Sequence, residues 1–403
     1  LALRPQPYRR KLQLDYVAPP SFGASVGGPF GTMIAGGVAF FFSDMLGDQQ
    51  LAVAAQANGT FKDIGGQVIY INQGRRLNYG ALASHIPLLY GYAYLDVCTD
   101  PATGLQVYCY IQLLQRIYID EAGVLGYYPL NTTQRFELMV GFQRYGFDYD
   151  AEIYYLYGAG YRRSTQNLPA PDPIYFFQAS GAFVGDFSFF GFTSPVRGSR
   201  YRLQVTPLIG TERFVQVLVD GRKYFFFRPL TFAVRLTHVG NYGAQPQGSD
   251  RLSFAQEYLG YGSTLTFVRG YSFYSLEPDE CTPSTSTPNL CAEVARLVGT
   301  HVAVASAELR IPLFGTERFG LFNFPYLPTE LSLFADAGVA WSKGDLPEWK
   351  FVRHTGDRVP VFSTGISTRF NILGAMVLEL FYVYPFQRPY KGWHLGAQLV
   401  PGW

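Results

Sequence analysis

Three short stretches carry the chemistry this sequence can do. Phe267-Val268-Arg269-Gly270-Tyr271 lies within the longest connection of the chain, residues 241–298. Glu308-Leu309-Arg310-Ile311-Pro312-Leu313 and Phe334-Ala335-Asp336-Ala337-Gly338 lie in the next two strand-like segments. Side chains alternate between the two faces of an extended chain. Glu308 and Arg310 therefore share a face of one strand, and Phe334 and Asp336 share a face of its neighbour. A carboxylate in a partly desolvated interior needs a partner. The planar guanidinium of Arg269 can bind one through two parallel hydrogen bonds. Gly270 lets the loop backbone pass close to a wall. The chemistry is holding rather than catalysis, with Arg269 pinning the long loop to Asp336 and Glu308 nearby. The alternative, three solvated charges that merely recur, stays open at this point.

Other chemistry is sparse. His85, His238, His301, His354 and His394 show no HExxH or other ligand spacing. There is no G-x-S-x-G elbow and no Walker or Rossmann glycine pattern. Glu277-Pro278-Asp279-Glu280 lacks the full calcium-loop pattern and reads as a solvated charge run. No catalytic residue, metal site or cofactor is expected. Cys98/Cys109 and Cys281/Cys291 each bracket a turn-rich loop and have no CxxC spacing. They read as two local disulfides formed in an oxidising compartment.

The elements that must position these residues follow from composition. The 403 residues are 48% hydrophobic, 17% aromatic and only 15% charged, with 43 Gly and a net charge of +2. Those values exclude disorder and a coiled coil, and give no reason to expect nucleic-acid binding. No run of about 18 apolar residues is present, so a membrane-crossing helix is not expected. An aromatic-rich, charge-poor chain of this kind points to the other structure a bilayer accepts, the closed β-barrel.

Period-two alternation supports this. Tyr201, Leu203 and Val205 oppose Arg200, Arg202 and Gln204. Phe362, Ile366, Phe370 and Ile372 oppose Ser363, Gly365, Ser367, Arg369 and Asn371, and Leu378, Leu380 and Tyr382 oppose Glu379. About sixteen strands are predicted, at 12–28, 32–44, 49–60, 63–73, 76–96, 105–120, 133–148, 173–191, 198–209, 213–228, 230–240, 299–313, 329–342, 361–372, 375–385 and 392–400. With a periplasmic N-terminus the short connections fall on the periplasmic side. The long ones, and both Cys pairs, then fall outside. Aromatic clusters such as Tyr127-Tyr128, Phe225-Phe226-Phe227 and Trp393 suit interfacial girdles.

The Val268-Arg269-Gly270-Tyr271 tetrapeptide resembles the (V/I)RG(F/Y) signature of the BamA/TamA outer-membrane assembly superfamily. That group includes two-partner secretion transporters and the chloroplast protein-import channel. FADAG resembles its FxDxG strand motif, ELRIPL another of its strands, and YPLNTTQRFEL (128–138) the turn and strand of a bacterial surface-antigen domain. The resemblance covers essentially the whole chain. It implies a barrel of residues 12–403 in the bacterial outer membrane, with 241–298 as an inward-folded extracellular loop. Val268, Arg269, Gly270 and Tyr271 would form the loop tip, and Glu308, Arg310, Phe334, Asp336 and Gly338 the wall that receives it.

Family members normally carry periplasmic POTRA domains, and this sequence shows none. Residues 1–11 read as a periplasmic linker, and the start at Leu1 leads us to expect an upstream region. The last strand closes on the aromatic Trp403, but Pro401-Gly402 interrupt it. Gly23, Gly27, Gly28 and Gly31 would weaken pairing near the first strand, so the seam of first and last strands reads either as weakly paired or as fully zipped with local bulges. The implied function is protein insertion or translocation at the outer membrane, by a protein that is not an enzyme. The alternative is a barrel that anchors a larger envelope complex. Expected partners are outer-membrane lipid and protein, the latter a periplasmic domain or envelope subunits.

Overall fold

The computed structural model describes residues 11–18, 21–25, 33–58, 61–158, 160–243, 255–260, 266–272, 275–277, 280, 292–316, 320–353, 355, 357–372, 374, 376–388 and 390–400. Cys281, Cys291, Trp403 and most of the predicted linker lie outside them, as do Gly27, Gly28 and Gly31. The described chain is nearly all strand. The strands are β1 (Gln13–Val17), β2 (Ser21–Ser25), β3 (Met33–Ser43), β4 (Gln49–Asn58), β5 (Ile64–Asn72), β6 (Asn78–Thr99), β7 (Gln106–Pro129) and β8 (Gln134–Tyr157). They continue with β9 (Gly160–Leu168), β10 (Ile174–Asp186), β11 (Phe189–Phe190), β12 (Pro195–Gly210), β13 (Arg213–Phe227), β14 (Leu230–Tyr242), β15 (Glu257–Tyr258) and β16 (Val298–Gly299). The last are β17 (His301–Gly315), β18 (Phe322–Asn323), β19 (Thr329–Trp341), β20 (Val361–Ile372), β21 (Met376–Pro385) and β22 (His394–Val400). Among the described residues no helix is long and apolar enough to cross a membrane.

The chain divides into two compact units. One holds Leu1–Tyr128, Glu137–Ala179 and Leu208–Glu212; the other holds Pro129–Phe136, Ser180–Pro207 and Arg213–Trp403. In the first, β3 pairs with both β1 and β2, and antiparallel pairing then runs through β4, β5, β6 and β7. The predicted first strand is thus two short ones. β6, β7 and β8 have 22, 24 and 24 residues. A bilayer needs about 9–11 residues of strand, so these three extend well beyond one. β9 is a departure from expectation. Residues 149–172 read as a loop, yet Gly160–Leu168 pairs with Tyr149–Tyr157. Its sequence, GYRRSTQNL, has no apolar side to signal a strand. The connection predicted at 121–132 also shortens, because β7 continues to Pro129.

The far ends of β6 and β7 are closed by the expected Cys98–Cys109 disulfide. Cys109 packs in a small core with Ile111, Ala151, Ile153 and Tyr155. Asp100, in the turn, accepts hydrogen bonds from Arg162 Nε at 2.9 Å and from the Tyr157 hydroxyl. The Arg162 guanidinium holds that carboxyl well below the usual carboxylate range. Replacing both cysteines with serine removes a short cross-link worth about 2–4 kcal/mol. The expected outcome is faster protease cleavage within residues 100–105, read by peptide mapping, with no change in the stability of the second unit.

In the second unit, antiparallel pairing runs through β13, β14, β17, β19, β20, β21 and β22. Its faces are inverted relative to a water-soluble sheet. Leu236, Leu333, Ile366, Leu380, Tyr382 and Leu395 are exposed, whereas Thr237, Glu308, Arg310, Ser332, Asp336, Ser367, Arg369 and Glu379 are buried. Water would not favour that arrangement. A bilayer does, because lipid solvates the apolar face and the polar groups pair with one another on the other.

Candidate functional site

The buried face of the second unit collects charge by strand register. Glu308 lies opposite Phe334, Glu330 opposite Arg369, and Arg369 opposite Glu379. Alternation puts Glu308 and Arg310 on one face of β17, and Glu330, Ser332, Phe334 and Asp336 on one face of β19. Long-range antiparallel pairing then brings four carboxylates and two arginines into one patch. A third arginine arrives from the loop.

That arginine is Arg269. Its Nε lies 2.7 Å from Asp336 Oδ2 and its Nη2 2.8 Å from Asp336 Oδ1, the two-toothed geometry of a guanidinium on a carboxylate. Nη2 also lies 2.9 Å from Glu308 Oε1, and Nη1 lies 3.1 Å from Glu379 Oε1. The guanidinium carbon sits 3.6 Å from the centre of the Phe334 ring, adding a cation–π contact. Arg310 steadies Glu308 from the same strand at 2.7 Å and donates to the Pro195 carbonyl at 3.2 Å. Arg369 bridges Glu308 at 2.8 Å, Glu379 at 3.2 Å and Glu330 at 3.3 Å. Ser194 donates to Glu330 at 2.8 Å, and Gln398 to Glu379 at 2.6 Å. Charges this deeply buried are tolerable only when each is paired in this way.

The rest of the tip fits by shape. Val268 and Tyr271 are fully buried, in a cluster with Leu259, Leu297, Val302, Val304, Ala340 and Val361. The Tyr271 hydroxyl accepts the Gln387 N–H at 2.9 Å and lies 3.0 Å from the Phe362 carbonyl. Gly270 has φ +88°, a conformation that favours glycine, and its carbonyl accepts Arg388 Nη1 at 2.6 Å. Arg388 also grips Glu280, Nε to Oε2 at 2.8 Å. Arg296 Nη2 donates to the Gln387 carbonyl at 2.7 Å. Gly338 completes the seat, since a Cβ there would stand 2.6 Å from Val268 Cγ2 and 2.9 Å from Leu259 Cδ2. Gly338→Val should therefore overpack the seat at a cost of about 1–3 kcal/mol. The measurable result is a lower heat transition of the folded gel band and faster proteolysis of the loop.

Every wall and loop residue singled out in the sequence lies in this assembly. Glu330, Arg369, Glu379, Gln387, Arg388 and Arg296 belong to it as well and were not singled out. Glu280 corrects the reading of 277–280 as a solvated charge run: it is buried, because the Arg388 guanidinium supplies the partner its carboxylate needs. For Arg369 and Glu379 a signal existed: both fall on the polar side of the alternation, and Glu379 interrupts an otherwise apolar strand.

Comparison with known families decides the membership. The Omp85 superfamily domain matches residues 177–391, more than half of the chain. The chain belongs to the Omp85 superfamily. Its fold class is the antiparallel β-barrel of Omp85 proteins, and its location is the outer membrane. Among solved structures it is similar to BamA from Haemophilus ducreyi lacking POTRA domains 1-3, with 14% identity and a TM-score of 0.53 over 97% of this chain and 70% of that one. It also aligns with CdiB from Acinetobacter baumannii at 11% identity and a TM-score of 0.45, over 97% of this chain and 65% of that one. CdiB from Escherichia coli aligns at 12% identity and 0.47, over 91% of this chain and 58% of that one. No curated protein matches the chain. At these identities the likeness is one of fold.

Proposed function

We propose that this chain is an outer-membrane barrel of the BamA/TamA type that assists insertion or translocation of proteins, and that it is not an enzyme. The observation that carries this reading is the loop tip of Val268, Arg269, Gly270 and Tyr271 seated on Asp336, Glu308 and Glu379. Such a seat holds a long connection against the wall with three carboxylates on one guanidinium. Passive diffusion has no use for that, whereas a machine that must keep a loop in one place does. Omp85 membership supports insertion or translocation at the level of the superfamily.

The second reading is a barrel that anchors a larger envelope complex. The 22–24-residue strands β6, β7 and β8 favour it, because their far ends offer a rigid docking platform clear of lipid. Native purification from outer membranes, followed by mass spectrometry of what stays bound, separates the two. Co-purifying nascent barrels or secreted chains support the first. A fixed stoichiometric set of envelope subunits with no clients overturns it in favour of the second. A steady single-channel conductance from intact protein overturns both.

A further inference from the structure

We propose that the upper half of β6, Leu88–Val97, is an open sheet edge that receives an extended segment of a partner polypeptide as an added strand. The inference goes beyond both readings of function above and depends on neither. Every element involved belongs to the first unit. β5 pairs with β6 from Asn72 opposite Tyr79 up to Gly66 opposite His85, and then leaves it. Two residues on, Pro87 has no N–H to give a ladder, and a Cβ on Gly65 would stand 2.7 Å from its ring. β6 meanwhile continues to Thr99 in unbroken register with β7. Among the described residues, no strand pairs with the other side of Leu88–Thr99. Counted from Asn78, about 9–11 residues of β6 cross the bilayer, so this edge stands clear of lipid.

Backbone chemistry identifies the occupant. In an antiparallel ladder successive residues direct their N–H and C=O to opposite sides. The His85 carbonyl points to the β5 side, 2.9 Å from where a Gly65 Cβ would lie. Leu89, Gly91, Ala93 and Leu95, in steps of two from His85, therefore turn theirs to the open side, where an incoming strand can pair with all four. The row closes at Val97, whose N–H donates to the Asp96 carboxylate at 2.8 Å. Natural edges are guarded by lysine, proline, a bulge or a covering loop. Leu88–Val97 has no lysine, proline or register shift, and Asp96 at its end is its one charged residue. The described part of the β4–β5 connection is tied elsewhere: Lys62 lies 2.9 Å from Asp148 on β8, and Asp63 accepts Arg116 Nε of β7 at 2.8 Å. The side chains suit an interface. Tyr90, Tyr92 and Tyr94 form an exposed row on one face, and Leu95 on the other is 68% exposed. Alternate apolar side chains of an added strand would pack along that row, while the backbone bonds supply affinity. A second copy is a poor occupant. Copies inserted in one membrane in the same sense bring two β6 edges together only in parallel, the weaker pairing.

The test is amide hydrogen exchange of the full chain, folded in detergent micelles, with and without a short soluble peptide of alternating threonine and valine. Saturating peptide should slow exchange at Leu89, Gly91, Ala93 and Leu95 by about tenfold or more. Ala93→Pro removes one N–H from the open side, leaves the β7 ladder intact and should abolish the slowing. Folding is checked by the heat-modifiable gel band, and Gly91→Pro serves if Ala93→Pro misfolds. No slowing, or equal slowing in the proline variant, overturns the proposal. So does exchange at these four amides that is already slow before peptide is added. At doubled particle mass the occupant is then a second copy, and at single mass it is the chain itself.

Discussion

Arg269→Ala should lower the stability of the folded barrel by about 3–5 kcal/mol, the cost typical of removing one partner from a buried ion pair. The variant leaves Asp336, Glu308 and Glu379 facing one another without the guanidinium that lies within 3.1 Å of each. Three things are lost together: the bidentate pair, the cation–π contact to Phe334 and the anchor of the loop. The expected readout is a heat-modifiable gel band that collapses at lower temperature, with new protease cleavage around residues 255–272. Arg269→Lys keeps the charge but not the planar fork, so it should fall between parent and alanine variant. An Arg269→Ala protein with unchanged loop proteolysis and an unchanged heat transition would mean that the apolar seat of Val268 and Tyr271, with the grip of Arg388 on Gly270 and Glu280, holds the loop without Arg269.

How much of this was legible in the sequence depends on which physical rule governs each residue. Alternation follows from backbone geometry alone, so the faces of β19, β20 and β21 could be read directly. Leu333, Ile366 and Leu380 are exposed, and Asp336, Arg369 and Glu379 are buried. Register does not follow from alternation, because it depends on turn geometry and on bulges such as the one between Pro312 and Phe314. The sequence reading therefore couples Arg269 to Asp336 and Glu308 through their motifs. It does not reach the Glu330–Arg369–Glu379 row, which exists only once three strands are in register. Gln387, Arg388 and Arg296 sit in connections with no period at all, and nothing local marks them. β9 escaped for a different reason. It pairs with the far end of β8, clear of the bilayer, where neither side needs an apolar stripe.

The second large effect is expected at Glu308. This carboxylate is fully buried and binds three guanidinium groups: Arg310 at 2.7 Å, Arg369 at 2.8 Å and Arg269 at 2.9 Å. In Glu308→Ala, Arg269 retains Asp336, and Arg369 retains Glu330 and Glu379. For Arg310 the next carboxylate, Glu330, stands 4.0 Å away. The damage thus falls on the wall as well as on the loop, and the cost should again be about 3–5 kcal/mol. Glu308→Gln preserves volume and one acceptor, so it should be milder. The informative comparison is the double variant Arg269→Ala/Glu308→Ala. Residues sharing one network couple by about 0.5–3 kcal/mol, so the double should be less damaged than the sum of the singles. Strict additivity would show that the loop anchor and the wall network are independent. In that case the seat of Arg269 would reduce to Asp336 and Glu379, and the wall charges would serve the barrel rather than the loop.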